Sequence, residues 1–481
     1  MSVTYPLTVC FETLGCRLNQ DETEGAAQSF RTNGFTCRMG SISASDACDD
    51  SVFLCILNTC TVTGKAEQKA RRIIRLMLKN FPKATVLVTG CYAELDGDEI
   101  TAICPERIVI VKGTQKYLLS QLASSLRMLC SQGNAFPSFS DIQNLISVQT
   151  QRKLILNPKT TVSDTAFSAF TLYTANFQKH SRASLKIQDG CNCACSFCRI
   201  HFARGKSVSL SASEVVSRVK NLEQNGMNEV VLTGVNLSQY ASQESDGTVR
   251  DLAGLLELIL KETSHIRIRL SSLYPQSVTE RLCAVLADSR IQSFFHLSIQ
   301  SGSERILKLM KRPHSVSQVE EAITLLRSVK KAPFISCDLI AGFPTETDED
   351  FSQTVELCKR SGFAWIHAFP FSPRPGTDAV HLKPCVPERI KGERVALLTQ
   401  LAVDGKLSYI ERWKDKPLFA IVEHERGLTR AVTENFLHVQ CEKKLDIASG
   451  SAVTVRILQA DKQAIVSGSE VDCLGSVIDV Q

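Results

Sequence analysis

Cys191-Asn-Cys-Ala-Cys195-Ser-Phe-Cys198 decides how the whole chain is read. In the spacing C-x3-C-x2-C it offers three thiolates, Cys191, Cys195 and Cys198, from one short loop that follows the strand-like run Ala183-Ser-Leu-Lys-Ile-Gln188. Three ligands on a four-iron cluster leave one iron without a protein partner. An open iron is what a cluster needs to bind a small molecule and act on it, rather than only carry electrons. Four thiolates in this stretch, counting Cys193, could instead grip a structural zinc. Zinc ribbons draw their ligands from two separate turns, whereas these lie in one loop ahead of a long α/β pattern. The cluster reading is therefore preferred, and Cys193 is read as a bystander.

Downstream of the loop the pattern alternates. Strand candidates at 184–188, 229–233, 266–270, 294–299, 334–340 and 364–369 are separated by periodic helices such as 215–222, 252–260 and 316–326. Several of these helices begin with Ser or Asp at an N-cap position. Six βα units are fewer than the eight of a closed barrel, so an open partial barrel is expected. Upstream, strand candidates at 7–12, 52–57, 85–89 and 108–111 alternate with helical stretches such as 66–78, which argues for a parallel sheet covered by helices. Residues 131–180 read as polar and irregular. After a helix ending near Arg412, short runs at 417–423, 427–433, 437–440, 452–460 and 464–469 read as a small antiparallel barrel of OB-like type. The expected architecture is α/β: a doubly wound parallel sheet at 6–125, a connector at 126–180, a partial (β/α)6 barrel at 181–411, and a small β-barrel at 412–481.

Composition sets bounds. The chain has 481 residues, 43% apolar and 22% charged, long enough for two to four globular domains. A net charge of +5 permits nucleic-acid binding without arguing for it. No apolar run of membrane-spanning length appears, and the N-terminus lacks a basic region followed by a long apolar one, so neither a transmembrane helix nor a signal peptide is expected. Nineteen cysteines without an export signal point to a reducing compartment, and a cytoplasmic location is expected.

Three further cysteines share a local logic. Cys16 follows Phe11-Glu-Thr-Leu-Gly15, Cys60 follows Leu54-Cys-Ile-Leu-Asn-Thr59, and Cys91 follows Val86-Leu-Val-Thr-Gly90. Each stands just past the carboxyl end of an expected parallel strand, the edge of an open α/β sheet where ligands collect. Three thiols distant in sequence can thus converge, again with one ligand position open. Core packing is the alternative for any one of them, and it is the reading given to Cys10 and Cys55 inside the strands.

With these residues in view, the chain resembles the radical S-adenosylmethionine (SAM) methylthiotransferases over nearly its whole length. The matching stretches are Thr13-Leu-Gly-Cys-Arg-Leu-Asn-Gln20, Asn58-Thr-Cys-Thr-Val-Thr63, Thr89-Gly-Cys-Tyr-Ala-Glu94, the segment 188–205, Gln300-Ser-Gly-Ser303 and Gly342-Phe-Pro-Thr-Glu-Thr347. The resemblance implies that Cys191, Cys195 and Cys198 hold the radical SAM 4Fe-4S cluster, that Cys16, Cys60 and Cys91 hold an auxiliary 4Fe-4S cluster, and that the tail is an RNA-binding TRAM domain. Leu14-Gly-Cys-Arg-Leu-Asn-Gln20 is most similar to the tRNA threonylcarbamoyladenosine enzymes. The isopentenyladenosine enzymes tend toward Gly-Cys-Gln-Met-Asn there, and those acting on a small-subunit ribosomal protein toward Gly-Cys-Pro-Lys-Asn. His201-Phe202, Ser298 and Thr345 depart from the family pattern without removing a cluster ligand.

The implied reaction is methylthiolation at C2 of N6-threonylcarbamoyladenosine, at position 37 beside the tRNA anticodon. C2 carries an unactivated C–H bond, for which a radical route suits better than polar substitution. Two clusters and SAM are the implied cofactors. The implied partners are tRNA, an electron donor such as flavodoxin or ferredoxin, and a sulfur source. Thr233, Gly234, Asn236, Ser301 and Asp338 are the expected cofactor contacts, with strand termination as the alternative for the glycine. Lys65, Lys69, Arg72 and Lys79 repeat at helical spacing after Cys60, either as a phosphate-contacting face or as a solvated one. The tail holds nine Lys and Arg against ten Asp and Glu from Arg412 onward, so its charge gives RNA binding no help. A metal-stabilised RNA-binding protein without catalysis is the rival reading from another class.

Overall fold

The computed structural model describes residues 7–131, 136–156, 168–175, 181–244, 246–425, 428–441 and 447–480. The chain forms two compact units. One comprises Met1–Asn176, Asp189–Asn192 and Cys198–Leu210, the other Phe177–Gln188, Cys193–Phe197 and Ser211–Gln481.

The first unit is built on five parallel strands: β1 (Thr8–Thr13), β2 (Thr36–Met39), β3 (Val52–Thr59), β4 (Thr85–Gly90) and β5 (Ile108–Ile110), in the order β2-β1-β3-β4-β5. The apolar run of β3 is buried along its whole length because both faces of the sheet are covered. Leu54 and Ile56 join Val9, Phe11 and Phe30 on one side, while Cys55 and Leu57 join Ile74 and Met77 on the other. Phe30 comes from helix α1 (Arg17–Thr32), and Ile74 and Met77 come from helix α2 (Gly64–Asn80). The strand order reverses at β1, which opens a crevice at the carboxyl ends of β1 and β3.

Two features of this unit escape the sequence pattern. β2 is a short edge strand whose four residues are exposed or half-buried, so it carries no apolar signal. The stretch expected to be irregular after 131 contains the helix Phe139–Leu156. Ser138 and Asp141 cap it reciprocally, Ser138 N donating to Asp141 Oδ2 at 2.9 Å and Asp141 N to Ser138 Oγ at 3.2 Å. Phe139, Ile142, Leu145 and Ile146 form its apolar stripe against the sheet core. Residues 132–135, 157–167 and 176–180 of the expected connector lie outside the described residues.

In the second unit, Ala183–Lys186, Glu229–Thr233 and Arg267–Leu270 pair in parallel, and so do Ser272–Leu273, Phe294–Gln300, Phe334–Ala341 and Trp365–Pro370. Ile268 bridges Ile291, which carries the succession from the first set to the second, with the third strand interrupted at Ser271. The result is the expected run of six strand positions. Among the described residues the first and last do not pair, so the barrel is open. Its helices start where the sequence signals: Ser211, Asp251 and Ser315 cap Ala212–Gln224, Leu252–Glu262 and Val316–Val329.

The long helix Glu388–Trp413 leads into a closed barrel of Pro417–Glu425, Leu428–Thr433, His438–Cys441, Cys473–Val480 and Ala452–Ala460. The expected strand at 464–469 is instead the helix Lys462–Ser467. Asp461 caps it through Ala464 N at 2.9 Å, and only Ile465 of its apolar residues is buried. The fifth strand is Cys473–Val480, and its pairing with His438–Cys441 is parallel, so the barrel is mixed rather than antiparallel throughout. Buried Arg269 anchors the tail within this unit. It pairs with Glu229 at 2.8 Å and donates to the carbonyls of Thr433 and Glu434 at 3.1 and 3.2 Å.

Candidate functional site

The strand register of the first unit brings three cysteine loops to one edge. Thr13 pairs with Asn58, Asn58 with Thr89, and Thr59 with Gly90, so Cys60 and Cys91 leave adjacent strand ends while Cys16 follows β1 after a tight turn. Gly15 makes that turn at φ +102°, and a Cβ there would stand 2.4 Å from Cys60 Cβ and 2.8 Å from its Sγ. Gly90, at φ +100°, lies so near β3 that a Cβ would stand 2.3 Å from Thr59 O. With a larger residue the first turn could not lie this close to Cys60, nor the second this close to Thr59 and Asn58. Cys16 is the N-cap residue of α1, and burial raises its thiol pKa above the ordinary value, with Arg204 opposing the rise and Cys91 adding to it. Cys91 opens the short helix α3 (Cys91–Leu95).

A buried guanidinium lies among these thiols. Arg204 comes from the helix Ile200–Arg204, six residues after Cys198. Its Nη1 reaches Asp189 Oδ1 at 2.9 Å and Glu22 Oε1 at 3.0 Å, and its Nη2 reaches Asn19 Oδ1 at 2.8 Å. Lys116 pairs with the other side of Glu22. Burial alone would lower the Arg204 pKa, but Asp189, Glu22 and the Cys91 and Cys16 thiols outweigh it and hold it well above the ordinary arginine value. Burial pushes the Cys60 thiol up to about 11, with Cys91 and Cys16 adding to the rise and Arg204 opposing it. Such thiols deprotonate when a cationic centre binds them. Three thiols near enough to influence one another's charge, beside a fixed cation, make a donor set that fits a three-cysteine iron–sulfur cluster. Among the described residues, no three Cys, His, Asp or Glu side chains are spaced to chelate a single metal ion. A cluster does not ask for that spacing, since each thiolate binds a different iron.

The 191–198 loop is divided between the two units. In the first, Cys191 N donates to Gly205 O at 3.0 Å and Ile200 N to Cys198 Sγ at 3.4 Å. Arg199 pins the same segment through Asp96 at 2.9 Å and Glu67 at 3.4 Å. In the second, Cys195 is buried with Arg312 Nη1 3.3 Å from its Sγ. Arg312 also donates to Tyr274 OH at 3.0 Å and Ser298 O at 2.6 Å. Ser196 holds the loop by donating through Oγ to Leu309 O at 2.7 Å. Cys193, read as a bystander, accepts from Gln239 Nε2 at 3.3 Å.

The expected cofactor contacts fall on the barrel strands and the loops at their carboxyl ends. Thr233 ends its strand, Gly234 follows, and Asn236 accepts from Ser238 N at 3.2 Å while its own N–H donates to Gln188 Oε1 at 2.8 Å. Ser301 is buried, with its hydroxyl accepting from Ser303 N at 3.2 Å, so it shapes the loop from inside. Asp338 pairs with His296 Nε2 at 3.0 Å and stands in register with His367 on the next strand. Burial alone would raise the Asp338 pKa, but His296, His367 and Arg312 outweigh it and hold the carboxyl below its ordinary value. Burial and the neighbouring His296 push His367 down to about 4, so its ring is neutral at physiological pH.

On α2, Lys65, Lys69, Arg72 and Lys79 are exposed, as is Arg75. The one acid of that helix, Glu67, turns inward to Arg199 and Thr61, leaving an outer face that carries positive charge only. Arg71 is drawn to Tyr92 and Glu99, both at or under 3.0 Å, and does not belong to that face. Sequence reasoning gave no role to Asn19, Arg204, Arg312, His296 or His367. Arg204 and Asn19 stand inside quoted motifs, yet spacing carries no sign of a partner so far along the chain.

The fold and its thiols define a radical SAM protein with an added cysteine-bearing α/β domain. Residues 185–358 match the Radical SAM superfamily and residues 8–111 the uncharacterized protein family UPF0004. The radical SAM methyltransferase TsrM from Kitasatospora setae shares the fold at TM-score 0.50 and 13% identity, over 78% of this chain and 77% of that one. The chain belongs to the tRNA methylthiotransferase family. It is 44% identical to the threonylcarbamoyladenosine tRNA methylthiotransferase of Treponema pallidum, covering 95% of this chain and 99% of that protein. It is 34% identical to the protein of the same name from Aquifex aeolicus over 91% and 97% of the two chains. It is 31% identical to the tRNA-2-methylthio-N(6)-dimethylallyladenosine synthase of Orientia tsutsugamushi over 94% and 97%.

Proposed function

We propose that this protein is the enzyme that methylthiolates C2 of N6-threonylcarbamoyladenosine in tRNA, acting at position 37 beside the anticodon. Relatives of that name align along almost the entire chain. The observation that carries the reading to residues is the gathering of Cys16, Cys60 and Cys91 around Arg204, in a chain that also bears the C-x3-C-x2-C loop. The protein uses SAM and two 4Fe-4S clusters.

Cys191, Cys195 and Cys198 would hold one cluster, whose open iron supplies the reductive cleavage of SAM, and Cys16, Cys60 and Cys91 the other, which supplies a sulfur-bearing centre. The chain's own groups do the rest. Arg312 fixes the loop at Cys195 and keeps a positive charge beside it. Asp338 stays ionised against His296, and its negative charge suits the cationic SAM. Thr233, Gly234 and Asn236 offer backbone and a strand-end turn as a further wall, and Ser301 holds the facing loop in shape. Lys65, Lys69, Arg72 and Lys79 contact RNA phosphates, with no acidic side chain on their face to oppose them. The domains divide this work: 6–125 for the auxiliary cluster, 126–180 as connector, 181–411 for the radical chemistry, and 412–481 as the RNA-binding TRAM-like barrel. The enzyme works in the cytoplasm with a flavodoxin- or ferredoxin-type reductant and a separate sulfur donor. No described helix is long and apolar enough to cross a membrane.

The test is mass spectrometry of tRNA nucleosides from cells lacking the gene, with and without its restoration. Loss and recovery of 2-methylthio-N6-threonylcarbamoyladenosine is expected. A change confined to the isopentenyl derivative would move the substrate to the sister enzymes, and no change in any tRNA nucleoside would redirect it to a ribosomal protein.

A further inference from the structure

Asn19 occupies an unusual place between the cysteine loops. Its Nδ2 donates to Leu14 O at 2.9 Å and to Thr59 O at 3.0 Å, carbonyls that lie just before Cys16 and Cys60. One amide thus spans two loops that share no covalent proximity. The side chain is completely buried, and its Oδ1 accepts from Arg204 Nη2 at 2.8 Å, which fixes the orientation of the amide. Asn58 Nδ2 in turn donates to Asn19 O at 3.0 Å, and Thr59 Oγ1 ties the same loop to Thr89 O, two residues before Cys91. The third loop is therefore held through the second.

Arg204 adds charge to this geometry. The buried polar network contains two cations, Arg204 and Lys116, and two anions, Glu22 and Asp189. Within it the guanidinium is the cation beside the thiols. Binding a cluster converts those thiols to thiolates, and an arginine stays charged in any such setting. Net charge close to a cluster is one of the quantities that sets its potential.

We propose that Asn19 and Arg204 form a brace that spaces the Cys16, Cys60 and Cys91 loops and places a permanent positive charge beside the cluster those cysteines hold. The inference rests on the assignment of the three cysteines to that cluster. Both are positioning residues: Asn19 acts on loop spacing, Arg204 on amide orientation and local charge.

The experiment uses the full chain in a Cys191→Ala/Cys195→Ala/Cys198→Ala background, so that iron reports on this site alone. Protein is reconstituted anaerobically with ferrous iron and sulfide. Iron and sulfide are then counted before and after a chelator challenge, and the midpoint potential is read by a titration followed by electron paramagnetic resonance. Asn19→Ala leaves every charge paired, and it is expected to lose iron to the chelator severalfold faster than the parent. Arg204→Gln is expected to shift the potential to more negative values, and Arg204→Lys to restore the potential but not the retention. Circular dichroism identifies a variant that does not fold, and Asn19→Ala carries the test if Arg204→Gln fails there. Unchanged iron retention and unchanged potential in the folded variants would overturn the brace. Cys60→Ala in the same background separates the two failures: iron retained there sinks the cysteine assignment, whereas iron lost there with the brace variants unaffected sinks only the brace.

Discussion

The two cysteine sites reach the same number of thiols by opposite routes. Cys191, Cys195 and Cys198 take their spacing from consecutive sequence, and a single loop could present them on many scaffolds. Cys16, Cys60 and Cys91 take theirs from strand order, since only the β1-β3-β4 neighbourhood puts their loops on one edge. A local motif is therefore robust to changes elsewhere in the fold. A site assembled by topology depends on each turn and polar brace that keeps its strand ends together.

The largest expected effect separates the two chemically. Cys195→Ala should abolish both 5′-deoxyadenosine formation and sulfur transfer. Cys16→Ala or Cys60→Ala should abolish methylthio product while SAM cleavage continues. Chromatography with mass detection of 5′-deoxyadenosine and of tRNA nucleosides checks both, and sulfur insertion by a Cys16→Ala protein would refute the assignment.

Next in size is Gly15→Ala. The positive φ and the contact with Cys60 together should cost roughly 3 kcal/mol and empty the auxiliary site before they unfold the parallel-sheet unit. Iron counting beside thermal unfolding measures this, and a variant with full iron content would show that the turn tolerates a side chain without loss of the site.

A smaller effect is expected on the outer face of α2. Each of Lys65→Ala, Lys69→Ala, Arg72→Ala and Lys79→Ala should weaken tRNA binding and reduce the salt dependence of log K by about one per lost phosphate contact. Filter binding across a salt series reads the slope. An unchanged slope in the fourfold variant would return the stripe to a solvated face.

The smallest concerns the tail, where acid should act without touching either cysteine site. Burial alone would raise the Glu423 pKa, but Arg182 and Arg430, with Ser181, outweigh it and hold the carboxyl down at about 2. Because the folded value lies below the ordinary 4.5, its stabilisation is complete above that pH and is lost as pH falls toward 2. Glu423→Gln should flatten the acid limb of the unfolding profile over that window, by no more than about 3 kcal/mol. An identical acid limb in the variant would count against the pairing.

Legibility in the sequence follows the same division. The six barrel positions and four of the five strands of the first sheet were readable, because buried parallel strands are continuous apolar runs bounded by turns. β2 was not, since an exposed edge strand needs no apolar residues. The stretch Ala464-Ile-Val466 looked like a strand, because so short an apolar run fits either structure, and Asp461 as a cap decides for helix. The thiols of both sites could be listed from spacing and strand ends. Their polar surroundings could not, because Arg204 meets Glu22 across 182 positions and no periodicity encodes such a pairing.

That separation has a consequence for how the enzyme is made. A chain emerging from the ribosome exposes Cys16, Cys60 and Cys91 long before residue 204 exists, so the thiols wait as ordinary reactive cysteines beside a space that lacks its cation. Iron delivered at that moment would meet an unfinished cage. On this reading the cage gains its cation only once residue 204 has been made, so iron loading is expected after that point rather than as each cysteine emerges.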